Sequence, residues 1–151
     1  MPVKLYCVYS AQDDPKKCTA KKLQKFNLLE FRPKITAVPR RALVLDATAP
    51  RELTAEDRPQ ALQFGLVVLD FSWNNIENMP RRALQYGRVL PADPPILAAN
   101  PINYSKAGKL SSAEALAAAL IILGEGNQAK LLLSKFVWGH TFFELNYPEL
   151  L

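Results

Sequence analysis

Ser111 and Glu114 have the spacing of a capping box, in which a serine oxygen accepts from a helix amide and a glutamate three residues on reaches back. With the adjoining Ser112 they stand between a polar loop and the apolar run AEALAAALIIL (113–123), and so mark the amino end of a helix. Such an end presents unpaired N–H groups that suit a carboxylate or a phosphate. On spacing alone, the same residues also make a well-capped core helix behind a surface loop. Three further polar groups close apolar runs: Asp46 after ALVL, Asp70 after GLVVL with Trp73 close behind, and Asn100 after ILAA with Asn103. Polar clusters at equivalent ends of three runs make a ligand pocket the leading expectation. His140, the single histidine, follows Trp138-Gly139 in an apolar segment and reads as structural. No Ser–His or Cys–His nucleophile pair is evident. With only Cys7 and Cys18 beside that histidine, neither a metal site nor a disulfide framework is expected.

The elements that must position these groups follow from periodicity. Residues 3–9 alternate and read as a strand, AQDDP as a turn, and KKCTAKKLQKF (16–26) as a helix with Leu23 and Phe26 inward and Lys21, Lys22 and Lys25 outward. Residues 30–39 read as an extended or short-strand connection. Short apolar strands are predicted at 42–46, 65–75 and 96–100; the unbroken run before Asp70 suggests burial on both faces, as in a parallel sheet. Between them, Thr54 is placed to cap a helix that tolerates Pro59 near its start, and MPRRALQYG (79–87) reads as a second helix. Gly124 is placed to end the capped helix in a left-handed conformation. A further helix is expected in NQAKLLLSKF, and a final helix or turn in the aromatic-rich segment from Trp138. Strands alternating with helices imply an α/β fold with a mostly parallel sheet, whose ligands sit beyond the carboxyl ends of the strands. Neither GxGxxG nor GxxxxGK[ST] occurs, so a typical dinucleotide fold and a P-loop are unsupported.

The 151 residues suffice for one domain with a small appendage, and 49% hydrophobic with 22% charged residues indicates a globular chain. No apolar run is long enough for a membrane span, no signal-peptide layout opens the chain, and a reducing, cytoplasmic setting is expected. The net charge of +5 is uneven. Residues 1–41 hold ten Lys or Arg against three acids, a net of +7, while residues 42–151 carry a net of −2. A basic lobe beside a near-neutral one suits a polyanion such as nucleic acid, although a solvated lysine-rich helix face has the same composition.

Five segments in order, DDPKKCTAKKL (13–23), LDFSWNN (69–75), LAANPINY (97–104), KLSSAEALAAAL (109–120) and WGHTFFELN (138–146), resemble the signature segments of the Tsr3 family. These are the small-subunit (16S/18S) rRNA aminocarboxypropyltransferases, and the compact length is similar to their archaeal branch. The resemblance implies a small basic N-terminal α/β domain (1–41) that binds RNA and completes the cofactor site. It also implies a SPOUT-like C-terminal domain (42–151) with a deep trefoil knot, which physical reasoning alone would exclude. It implies S-adenosyl-L-methionine as cofactor, transfer of the 3-amino-3-carboxypropyl group to N3 of a hypermodified (N1-methyl)pseudouridine, and release of methylthioadenosine. The implied partner is small-subunit rRNA in the pre-ribosomal subunit, and the implied state a monomer without membrane attachment.

Carried over residue by residue, the resemblance implies that Thr19 and Ser112 hold the methionine portion. Leu69 would contact the ribose through its main chain, and Asp70 would lie near the amino group or the reacting base. Trp73 would pack on the methionine chain and sulfonium, Asp93 and Gly108 would grip adenine by backbone, and Leu45 would form an apolar wall. Asp70 is then the candidate catalytic base. Lys16, Lys17, Lys21, Lys22, Lys25, Arg32 and Arg40 are the expected phosphate contacts. Two other readings remain open: a SPOUT-type RNA methyltransferase, and a non-catalytic ribosome-assembly factor that uses the basic lobe alone.

Overall fold

Alternating side chains along three short apolar runs build a sheet that is buried on both faces. In the computed structural model, which describes residues 2–9, 19–70, 85–101, 104–106 and 110–151, β1 is Leu5–Tyr9, β2 Glu30–Arg32, β3 Leu43–Leu45, β4 Leu66–Asp70 and β5 Gly87–Arg88. All pairings are parallel, in the order β2-β1-β4-β3-β5. Leu5, Cys7, Leu43, Leu45, Leu66 and Val68 enter the main core; Tyr6, Val8, Val44 and Val67 enter a smaller cluster with Val38 and Ala42. This period of two explains why the run before Asp70 is apolar throughout, since each of its faces meets a core.

Seven residues of helix α1 (Thr19–Lys25), then α2 (Arg58–Phe64), α3 (Ser112–Ile122), α4 (Gly126–Leu133) and α5 (Gly139–Asn146) complete the described elements of any length, with short 3-10 turns between. Thr54 caps the turn leading into α2 in a reciprocal capping box with Asp57. Buried Ala113, Leu116, Ala117, Ala118, Ala119 and Leu120 put nearly every face of α3 in the main core, as an all-apolar helix requires. It ends at Gly124, whose φ of 84° is left-handed as expected. Side-chain amides clasp main chain at two places. Gln128 of α4 exchanges two hydrogen bonds with Val3, at 2.9 and 2.8 Å, and Asn146 of α5 does the same with Leu97, at 2.6 and 2.9 Å.

Several expectations need correction. The run 96–100 is buried but is not one of the sheet strands; its main-chain groups go to Asn146, Glu114 and a turn in which Ser105 N–H donates to Ala98. An apolar run of five residues cannot by itself distinguish a buried strand from buried irregular chain. The fifth strand is instead Gly87–Arg88, where a helix was expected to end; residues 79–84 of that predicted helix lie outside the described residues. Phe26 is 49% exposed, although its spacing from Leu23 puts both on one helical face. The helix stops at Lys25, Phe26 N–H bonds back to Leu23 in a tighter turn, and Asn27 has a φ of 59°, so the ring swings off the Leu23 face. His140 lies on the surface of α5, its side chain 67% exposed and in contact with Glu144 one turn on, at 2.8 Å. Strands β1 and β2, from the basic first 41 residues, join the same sheet as the rest, with β1 paired along its whole length to β4.

Candidate functional site

Strands β3, β4 and β5 end together, and beyond their carboxyl ends opens a cavity of about 570 Å³. Its walls are Leu45, Asp46 and Ala47 after β3, Val68 and Leu69 in β4, and the run Arg88 to Ala92 after β5. Pro95, Ile96 and Leu110, with Ser111, Ser112 and Ala115 from the start of α3, close the far side. The volume suits a drug-sized ligand, and the lining is apolar with few polar groups, as in small-molecule sites.

The amino end of α3 is built by Glu114, which is fully buried. Its carboxylate accepts from Ala99 N–H at 2.5 Å, Asn100 Nδ2 at 2.6 Å, and Ser111 N–H and Oγ–H at 3.1 and 3.0 Å. One glutamate therefore closes the predicted capping box and also ties the 97–101 segment to the helix. Ser111 Oγ accepts in return from Glu114 N–H at 3.3 Å. Ala113 N–H donates to Thr19 Oγ1 at 3.0 Å, joining the first residue of α1 to the first turn of α3. Among the described residues, Ser112 N–H and its hydroxyl have no partner, and Ser112 lines the cavity. An amide and a hydroxyl at a helix amino end, facing a cavity, are suited to a carboxylate.

The structure thus brings Leu45, Leu69 and Ser112 to the cavity wall and sets Thr19 beside Ser112. Asp70 follows Leu69 as the last residue of β4. Asp93 is exposed in the connection between lining residues Ala92 and Pro95, on the amino side of a cis bond to Pro94. Trp73, Gly108 and Asn103 lie outside the described residues.

Two charged groups also line the cavity: Asp46, expected there from its place after β3, and Arg88, which was not anticipated. Asp46 is buried, and its Oδ1 accepts from the amide and hydroxyl of Thr48, at 2.9 and 2.7 Å, which fixes the turn after β3. Arg88 is 4% exposed; its Nε meets both carboxylate oxygens of buried Asp57 at 3.3 Å and its Nη1 donates to Gly87 O at 2.9 Å. Nothing in VLPADPP marks the preceding Arg88 as buried.

Of the expected cationic face, Lys22, Lys25 and Arg40 are exposed, and Lys21 is half-buried on α1. Arg32 is half-buried, paired with Glu30 at 2.8 Å and stacked 5.4 Å above Tyr6, so part of its charge is already compensated. Lys16 and Lys17 lie outside the described residues.

Comparison with known proteins agrees with this arrangement. A family model described as the C-terminal part of ribosome biogenesis proteins matches residues 43–151. Residues 3–32 match a model described as a possible Fer4-like domain in RNase L inhibitor. A four-iron cluster takes four cysteine thiolates. The chain has two cysteines, and Cys7 is fully buried in β1 among the main core, so these residues do not fit such a cluster. A 16S rRNA aminocarboxypropyltransferase from Methanosarcina acetivorans is 43% identical, with 98% of this chain and 83% of the relative aligned. One of the same name from Thermoplasma volcanium is 46% identical, over 94% of this chain and 84% of the relative. The solved structure of the SAM-dependent rRNA:acp-transferase Tsr3 from Vulcanisaeta distributa superposes with a TM-score of 0.87 at 34% identity, covering 99% of this chain and 82% of that one. Likeness to such relatives over 94–99% of its length leaves one assignment: the chain belongs to the Tsr3 family of 16S rRNA aminocarboxypropyltransferases.

Proposed function

We propose that this chain transfers the 3-amino-3-carboxypropyl group of S-adenosyl-L-methionine to N3 of a hypermodified, N1-methylated pseudouridine in small-subunit rRNA. The observation that carries this reading is the cavity between Leu45, Leu69 and Ser112, in a chain aligned over nearly its whole length with transferases of that name. The cofactor supplies an electrophilic carbon beside a sulfonium. Attack by N3 forms the new N–C bond, the S–C bond breaks with its electron pair passing to sulfur, and neutral methylthioadenosine leaves.

The residues of this chain bind and orient. Ser112 N–H and hydroxyl hold the methionine carboxylate, with Thr19 keeping the helix end in place. Leu45 and Leu69 wall the apolar side, and the backbone at Asp93 and Gly108 holds adenine. Trp73 packs on the alkyl chain, where a cation over an aromatic face contributes about 0.5–2 kcal/mol. Selectivity is geometric: the site buries the methyl carbon and presents the longer arm to RNA, so proximity decides which carbon reacts. Asp70, at the carboxyl end of β4, takes the N3 proton.

At a coarser scale, we read residues 1–41 as the RNA-facing part and 42–151 as the cofactor-binding part. The two family matches, 3–32 and 43–151, support a division there. A SPOUT-like trefoil knot in the second part is part of the same reading, and rests on the likeness to the Tsr3 family. We expect a cytoplasmic monomer; among the described residues, no helix is long and apolar enough to cross a membrane. Titration calorimetry with S-adenosyl-L-methionine tests the site. One-to-one binding, weakened about 2- to 30-fold by Trp73→Ala, is expected. No heat of binding, or a Trp73→Ala variant that binds as wild type, would show the site misplaced. Asp70→Asn at unchanged cofactor affinity should lose transfer; normal transfer would rule out the base role.

A further inference from the structure

Two cation–aromatic pairs cross between α1 and the connection from α4 to α5 in opposite senses. Lys135 Nζ stands 4.8 Å from the centre of the Phe26 ring, and Lys22 Nζ stands 5.0 Å from the centre of the Phe136 ring. Phe136 is buried and stacks at 4.8 Å on half-buried Trp138, so the second pair is anchored in the core. The first pair is not. Phe26 remains 49% exposed with an ammonium on it, and Val137 in the same connection is fully exposed at 101%. Lys22, Lys25 and Lys135 have no carboxylate partner among the described residues, where the Lys or Arg ion pairs are Glu30–Arg32, Arg58–Glu125 and Asp57–Arg88.

We propose that Phe26, held by Lys135, is a stacking platform for one unpaired base of a single-stranded RNA segment, with Lys22, Lys25 and Lys135 on the flanking phosphates. The proposal rests on the reading of this chain as an rRNA-modifying enzyme and adds to it a second RNA contact, outside the cofactor cavity. A surface that combines uncompensated cations with an exposed aromatic ring is what single-stranded nucleic acid uses: the cations track the backbone and the ring takes a base. A duplex, whose bases are already stacked, offers the ring nothing. Position supports the assignment. Thr19, at the other end of α1, is bonded to Ala113 beside the cavity, so α1 spans from the cavity to the platform, about 10 Å at 1.5 Å per residue. An RNA strand lying along α1 would therefore be held on the platform while a neighbouring nucleotide enters the cavity.

The test measures RNA binding by fluorescence anisotropy on the full chain, with an unstructured single-stranded oligonucleotide and a duplex of equal length. Phe26→Ala and Phe26→Leu should each weaken single-strand binding about 5- to 160-fold, the range for removal of one base–aromatic stack, and leave duplex binding unchanged. Phe26→Trp should retain it. Lys135→Ala should lower the slope of affinity against salt by about 0.7 for a single strand, whereas Phe26→Ala should not change that slope. Calorimetry with S-adenosyl-L-methionine, unchanged in every variant, shows that each is folded with its cavity intact. Full affinity in Phe26→Leu, or equal losses on single strand and duplex, would overturn the platform while leaving RNA modification standing. Absence of RNA binding by the wild-type chain would overturn both, and absence of cofactor binding alone would overturn only the transferase reading.

Discussion

Replacing Glu114 by Gln removes one carboxylate oxygen from a site where every neighbour is a donor. Oε1 accepts from Asn100 and twice from Ser111, while Oε2 accepts from Ala99 N–H. Glutamine has a single acceptor oxygen. Placed where three donors converge, it leaves its own NH2 facing the Ala99 N–H, two donors in contact with no water near, because the side chain is fully buried. A hydrogen bond to a charged group contributes about 1.5–3 kcal/mol, and stranding a buried amide costs about 1–3 kcal/mol more, so the expected loss is about 3–5 kcal/mol. For a chain of 151 residues this lowers Tm by about 6–20 °C. Circular dichroism melts and urea titration read the loss directly. Because the same carboxylate ties 97–101 to the start of α3, affinity for S-adenosyl-L-methionine should fall in parallel, below the melting temperature of the variant. A Tm within 2 °C of wild type would refute the reasoning that Glu114 organises this end of the cavity.

Arg88→Met leaves the buried Asp57 carboxylate without its guanidinium and should destabilise by about 3–5 kcal/mol in urea titration; Arg88→Lys, which keeps the charge, should lose less. Gly139→Ala would place a methyl group on the Leu133 carbonyl oxygen at the start of α5, and should cost about 3 kcal/mol or more by the same measurement. Tyr147 has a pKa above its ordinary value of 10.0 because burial disfavours the phenolate and nearby Glu149 repels it. The native phenol therefore holds its proton after the unfolded one has lost it. Stability from this group is intact below about pH 10 and falls as pH rises beyond that, a decline that Tyr147→Phe should reduce in denaturant titrations at alkaline pH.

Local signals carried far into this fold. Ser111, Glu114 and Gly124 bracketed α3 because capping boxes and left-handed glycines are set by residues within a few positions of one another. The unbroken apolar run of β4 announced burial on both faces, and so a parallel sheet with its ligand cavity at the carboxyl edge. What stayed hidden depended on partners distant in sequence. The 96–100 run reads as a strand until Asn146 and Glu114, 49 and 15 residues away, are seen to hold its main chain. Arg88 is buried only because Asp57 meets it from 31 positions away. Phe26 was misplaced for a local reason: helical spacing was extended one residue past the point where α1 stops. The identities of the cofactor and the transferred group were legible only through family resemblance, since neither Leu45 nor Ser112 carries chemistry that names its ligand.

The central claim is that the longer alkyl arm of the sulfonium, and not its methyl, reaches RNA. Incubation of the protein with substrate rRNA and S-adenosyl-L-methionine labelled either in the carboxypropyl carbons or in the methyl carbon measures this in one assay. Label should enter RNA from the carboxypropyl carbons only, with methylthioadenosine as co-product. Label arriving from the methyl carbon would contradict the claim.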